Sequence, residues 1–162
     1  MSYGVKVFRK KDVSESFIDN RYSRAHSWTF DGGLSIPASS SPHVVPVPMS
    51  KASAVDPEEA FVAALASCHM LWFLSLAAGK KYTVESYEDN AEGVMANNEE
   101  GKLAMTQVTL RPQITFGGTM IPSRNQVDEF HHLAHEKCFI ANSVKTKITI
   151  EQIEKADKKC VI

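Results

Sequence analysis

The sequence predicts an α+β fold, and three observations carry that prediction. Residues 56–79, DPEEAFVAALASCHMLWFLSLAAG, have helical character and are apolar on every face. Segments with the two-residue alternation of strands lie before and after them. A second, amphipathic helix follows near 124–138, ahead of a last strand. Strands, buried helix, two strands, amphipathic helix and strand form an α+β order.

Each element has its own warrant. Residues 3–9, YGVKVFR, alternate weakly and read as a strand. Residues 24–39, RAHSWTFDGGLSIPAS, read as two strands joined at Asp31-Gly32-Gly33, since Asp-Gly supplies the positive φ of a tight hairpin. Residues 40–55 hold Pro42, Pro46, Pro48 and several serines, which excludes a helix or a central strand and predicts an ordered loop. The apolar helix is marked at its start by Asp56 as cap, Pro57 at the first helical position and Glu59 three residues after the cap. Gly79 is the expected stop. Residues 82–95 and 103–116 read as two long strands joined by NNEEGK, with Leu103, Met105, Gln107 and Thr109 on one face. Ser123 with Gln126 opens the second helix, whose Val127, Phe130, Leu133 and Ala134 have helical spacing. SVKTKITIEQI closes as a strand with Val144, Ile148 and Ile150 on one face, and residues 153–162 read as a loose, polar tail. No internal repeat is visible, and the 162 residues are read as a single domain.

Composition narrows the function classes. Apolar content of 43% and charged content of 23% are those of an ordinary globular chain. A net charge of −1 offers no basic footprint for nucleic acid or an anionic membrane. MSYGVKVFRKKD has no apolar core of signal-peptide length. The run Phe61–Ala78 is near the lower length limit of a membrane span, but Ser67, His69, Ser75 and the lack of a second such run favour a buried helix. A cytoplasmic protein without nucleic-acid or membrane partners is therefore expected. Three cysteines, an odd number, argue against a secreted disulfide framework. A helix apolar all round needs cover on every side, more than the predicted strands can supply, so a partner chain is expected too.

The chemistry centres on the thiols. Cys68 sits in the middle of the buried helix and Cys138 ends the second one. Two such cysteines suit a redox couple, one oxidised to a sulfenic acid and the other resolving it as a disulfide. The plainer reading is that both pack as small hydrophobes. Cys160, in the charged tail, reads as an exposed bystander. DPEEAFVAALASCHM together with AHEKCFIANSVKTKITI resembles the OsmC/Ohr family of osmotically inducible and organic hydroperoxide resistance proteins, with matches at Pro57, Glu58, Cys68 and Cys138. The resemblance spans nearly the whole order of elements. It implies an OsmC-like fold, antiparallel sheets wrapped around two central helices in an intertwined homodimer. It also implies a thiol peroxidase acting on small organic hydroperoxides in an antioxidant stress response. In that scheme Cys68 is the peroxidatic thiol, Cys138 resolves it, and Glu58 orients an activating arginine. The family places this arginine near the turn of the N-terminal hairpin. Here Phe30, Asp31 and Gly32 occupy the turn, and Arg24, favoured over Arg21, is the candidate. The family also suggests an external dithiol reductant of lipoyl type.

Helix geometry adds a constraint. Glu58 and Cys68 lie about 15 Å apart along a straight helix and roughly 80° apart around it, so they cannot touch within one chain. Two copies of the helix packed antiparallel about a two-fold axis near Ala63 and Ala64 would bring Glu58 of one level with Cys68 of the other, with Ala66 and Ser67 also permitting close approach. No bound cofactor is needed, because sulfur carries the electrons. His69 is a second candidate activator of Cys68, since an imidazolium beside a thiol favours the thiolate. Two rival readings stand beside this one. His131, His135 and Cys138 have zinc-ligand spacing on one helix face, against the plainer reading of His131, His132 and His135 as solvent-facing or interfacial. Alternatively, Met70, Trp72, Phe73 and Phe139 line an apolar ligand cavity in a non-catalytic protein, with Cys68 as a redox sensor.

Overall fold

The computed structural model describes residues 1–152. They fall into two compact units, Met1–Phe61 and a second that begins at Val62. The expected loose tail and Cys160 lie outside the described residues.

In the first unit, β1 (Val5–Phe8), β2 (His26–Phe30) and β3 (Ser35–Ala38) form an antiparallel sheet in that order. The β2–β3 turn lies where Asp31-Gly32-Gly33 predicts it. Its left-handed residue is Gly33, at φ 87°, while Phe30 N–H donates to Leu34 C=O at 2.9 Å. The proline- and serine-rich segment after β3 is tied down rather than loose. Ser39 N–H donates to Val55 C=O at 3.0 Å, Lys51 N–H to Ser39 Oγ at 3.0 Å, and Arg24 N–H to Met49 C=O at 2.7 Å. Ser39, Ser41 and Asp56 are buried along it, and their short polar side chains suit such a path because each accepts from a backbone N–H.

The central helix, α1 (Pro57–Gly79), starts as its sequence predicts. Glu59 N–H donates to Asp56 Oδ1 at 2.7 Å, and Asp56 N–H donates to Glu59 Oε2 at 3.2 Å, a complete capping box. It ends at Gly79, the expected stop, although that glycine is not the left-handed residue of the turn. The left-handed residue is Lys81, at φ 68°, and Tyr82 N–H closes the turn on Ala77 C=O at 3.0 Å. By length and hydropathy α1 could cross a membrane. One face, Leu65, His69, Phe73 and Ala77, is buried in protein. Ala63, Ala64, Ser67, Leu71, Ser75 and Ala78 are exposed, so the described residues do not cover the helix all round.

In the second unit each predicted long strand is broken in two. β4 (Thr83–Asp89) and β5 (Glu92–Asn97) replace the first, β6 (Leu103–Leu110) and β7 (Pro112–Gly117) the second. β4 pairs with β7 and β5 with β6, both antiparallel. The break has a local cause. Arg111 N–H leaves the ladder to donate to Asp89 Oδ1 at 2.7 Å, Pro112 has no N–H to give, and the Arg111 guanidinium reaches Glu92 and Glu151 at 3.0 Å each. The second helix, α2 (Arg124–Lys137), carries the predicted capping box, with Ser123 N–H donating to Gln126 Oε1 at 2.8 Å and Gln126 N–H to Ser123 Oγ at 3.4 Å. A 3₁₀ turn at Ala141–Ser143 then leads into β8 (Lys147–Ile150). β8 lies parallel to β6, so this sheet is mixed where antiparallel sheets were expected. The helix between β7 and β8 supplies the long crossover that parallel pairing requires.

The core of the second unit is Phe73 and Ala77 of α1 against Phe130 and Ala134 of α2, covered by Tyr82, Val84, Tyr87, Ile114 and Phe116. Phe73 meets Phe130 edge-on at 5.8 Å between ring centroids, a favoured aromatic geometry. Among the described residues the chain is a mixed α+β fold with two α-helices and eight strands.

Candidate functional site: a dithiol on the seam of two helices

Cys68 lies midway along α1, and Cys138 caps the C-terminus of α2. Neither forms a disulfide in this structure. Cys138 N–H donates to His135 C=O at 3.2 Å, and its sulfur accepts from Ala141 N–H at 3.4 Å, so the turn after α2 fixes the thiol. Cys138 is 1% exposed, whereas Cys68 is half-buried. The Cys138 thiol interacts electrostatically with Cys68, so the two side chains are neighbours. Burial first, and then the neighbouring Cys68, push the Cys138 thiol up to about 11, against the opposing effect of the Ala141 N–H. Cys138 is therefore a thiol that keeps its proton at neutral pH.

An aromatic pair flanks the sulfurs. Trp72, one turn beyond Cys68, meets Phe139, next to Cys138, at 5.6 Å and 76° between ring planes. Lys137 Nζ stands 5.6 Å from the centre of the Trp72 ring. Phe139 is 69% exposed, so this apolar rim is open to solvent.

The histidines depart from two expectations. His69 Nε2 and His131 Nδ1 are 2.9 Å apart in a buried hydrogen bond, with the rings stacked at 5.2 Å and 7°. Burial lowers His69 to about 3, helped by the neighbouring His131 and His135, and burial lowers His131 to about 4. His69 is thus a neutral core imidazole turned to α2, not an imidazolium beside Cys68. Helical geometry explains this, because adjacent side chains diverge by about 100°. His131 is buried rather than solvent-facing or interfacial, while the exposed His132 pairs with Glu136 at 3.3 Å. Among the described residues no three His, Cys, Asp or Glu side chains are arranged to hold a metal ion, which removes the geometric support for zinc at His131, His135 and Cys138.

In the first unit, Arg24 and Glu58 both line a cleft of about 280 Å³ together with Arg9, Tyr22 and His26. The Arg24 guanidinium lies 3.7 Å from the Tyr22 ring centre, and donates to Asn20 C=O at 2.9 Å, to Asn20 Oδ1 at 2.7 Å and to Tyr22 C=O. Arg9 lies 4.9 Å from the same ring and pairs with Glu15. Glu58 Oε2 is buried without a hydrogen-bond partner among the described residues. Arg21 is exposed. Sequence reasoning missed Arg9 and Tyr22. Both lie outside the strands, and only a stacking partner distant in sequence marks Arg9.

Residues 50–153 match the model of the family described as OsmC-like protein. The chain belongs to the OsmC-like family. The resemblance read from the DPEE start and the two cysteines is therefore correct. An OsmC-like protein of unknown function from Vibrio cholerae O1 biovar eltor is 58% identical, with a TM-score of 0.93 over 94% of this chain and 99% of that one. OhrB, the organic hydroperoxide resistance protein of Bacillus subtilis, is 18% identical, with a TM-score of 0.67 over 94% of this chain and 98% of its own. An organic hydroperoxide resistance protein OsmC from Legionella pneumophila is 17% identical, with a TM-score of 0.66 over 94% and 95%. The last two establish a shared OsmC-like fold. No curated protein sequence matches the chain.

Proposed function

We propose that this OsmC-like protein is a thiol peroxidase that reduces small organic hydroperoxides. The observation that carries the reading is the pairing of a half-buried Cys68 with a neighbouring, fully buried Cys138 that holds its proton. Two neighbouring thiols whose surroundings differ suit two roles. Cys68, as thiolate, attacks the distal peroxide oxygen. The O–O bond breaks, the alkoxide takes a proton and leaves as alcohol, and Cys68 becomes a sulfenic acid. Cys138 gives up its proton and attacks that sulfur, the S–S bond forms, and water departs. An external dithiol, of lipoyl type by family analogy, then supplies two electrons and two protons to restore both thiols. The exposed Phe139–Trp72 rim favours an organic over an inorganic peroxide.

The exposed small-residue face of α1 supports an intertwined homodimer, in which Glu58 and Arg24 of one chain serve Cys68 of the other. The unpartnered Glu58 oxygen and the guanidinium in the same cleft fit that role. The remaining parts of the reading are a single OsmC-like domain, a cytoplasmic location, and a stress response that needs no resident cofactor, nucleic acid or membrane. Steady-state kinetics with cumene hydroperoxide and dihydrolipoamide test it. Cys68→Ser is expected to abolish turnover. Cys138→Ser is expected to accumulate a trappable sulfenic acid, and Arg24→Ala to slow peroxide consumption more than Arg21→Ala does. One-time oxidation of the wild-type protein without turnover would instead identify a sensor or binding protein.

A further inference from the structure

We propose that the buried His69–His131 pair is a positioning device for the dithiol, tying α1 to α2 in the one register that holds Cys68 and Cys138 together. The inference deepens the proposed function, since it rests on those sulfurs being a redox couple. His69 directly follows Cys68 on α1. His131 lies seven residues before Cys138, about two turns back on nearly the same face of α2. The imidazole pair and the neighbouring thiols thus share one helix–helix seam, and Phe73, Phe130 and Ala134 fill the rest with apolar contact. Apolar contacts are non-directional and tolerate sliding, whereas a hydrogen bond 2.9 Å long fixes which residues face each other.

The pair is costly where it stands, which argues that it does more than fill space. His69 is 1% and His131 3% exposed, and the outer nitrogens, His69 Nδ1 and His131 Nε2, are buried with no hydrogen-bond partner among the described residues. Two apolar side chains of similar volume would avoid that desolvation. What they could not do is specify register. Asp128 and His135 of α2 are the other titratable groups whose charges reach the pair. Both rings stay neutral at physiological pH, so one donates, the other accepts, and the link persists.

The test is the equilibrium of the Cys68–Cys138 disulfide in dithiothreitol redox buffers, read by alkylation and peptide mapping on the full chain carrying Cys160→Ser. His69→Leu/His131→Leu is expected to lower the effective concentration of one thiol at the other on the order of tenfold, the worth of one net hydrogen bond. His131→Asn, whose carboxamide reaches the place of Nδ1, is expected to restore most of it. If the double-leucine chain does not fold, His131→Leu against His131→Asn carries the same comparison. A folded leucine variant with the wild-type equilibrium overturns the proposal. So does an asparagine variant as impaired as leucine, or a wild-type chain that forms no such disulfide. Cumene hydroperoxide turnover on the same proteins separates the two readings. Loss of the equilibrium effect with turnover intact sinks the positioning role alone; absence of wild-type turnover with the effect present sinks the peroxidase alone.

Discussion

Cys68 and Cys138 are chemically unequal although they are neighbours. Cys138 is enclosed by the turn after α2 and its proton is held by burial and by Cys68, whereas Cys68 reaches solvent. Alkylation requires an accessible thiolate. Iodoacetamide at pH 7.5 should therefore label Cys68 well before Cys138 in the folded protein, with both reacting alike in urea; peptide mapping of a time course reads this directly. The histidine pair makes a second prediction. Both rings bind protons less readily in the folded chain than in the unfolded one, where the ordinary value is 6.5. The stability they allow is complete above pH 6.5 and falls as pH drops from 6.5 toward the folded values of about 3 and about 4. Each ring should cost about 2 kcal/mol by pH 5. Urea midpoints at pH 7 and 5 should differ accordingly, and the difference should shrink in His69→Leu/His131→Leu.

At the scale of elements, local chemistry sets where each helix begins and tertiary chemistry sets where each strand ends. Asp56 and Ser123 announce α1 and α2 through capping boxes legible in sequence, and the structure has both hydrogen-bonded. Asp56→Ala should cost about 1 kcal/mol, measured by chemical denaturation, because it leaves helical N–H groups unpaired in a buried position. The split of each long strand was not legible. Alternation runs through Asn90 and Arg111 without interruption, and the break is caused by a side chain, Asp89, capturing the Arg111 amide from the other strand. The parallel β6–β8 pairing is equally silent in a periodic pattern, since period two is the same for either direction.

For the whole molecule, the exposed face of α1 is the feature that the described residues leave uncovered. Leu71 is 62% exposed among small residues that would let a second helix approach closely. Leu71→Lys should leave the secondary structure intact and convert a dimer into monomer in sedimentation velocity. If the wild-type chain sediments as a monomer at micromolar concentration with full peroxidase activity, the shared-site reading fails.

Sequence alone determined the α+β class, both helices with their caps, the two hairpin turns, the family and the pair of cysteines on which the proposed chemistry rests. These depend on residue type and short-range spacing, which the chain carries in plain order. Tertiary structure alone decided that the Cys68 and Cys138 side chains are neighbours, that His69 faces His131 instead of the thiol, and that Arg24 and Glu58 line one cleft. Each is a contact between residues far apart in sequence, or a choice between two directions around a helix. Such matters are settled by how the elements pack rather than by the pattern along any one of them.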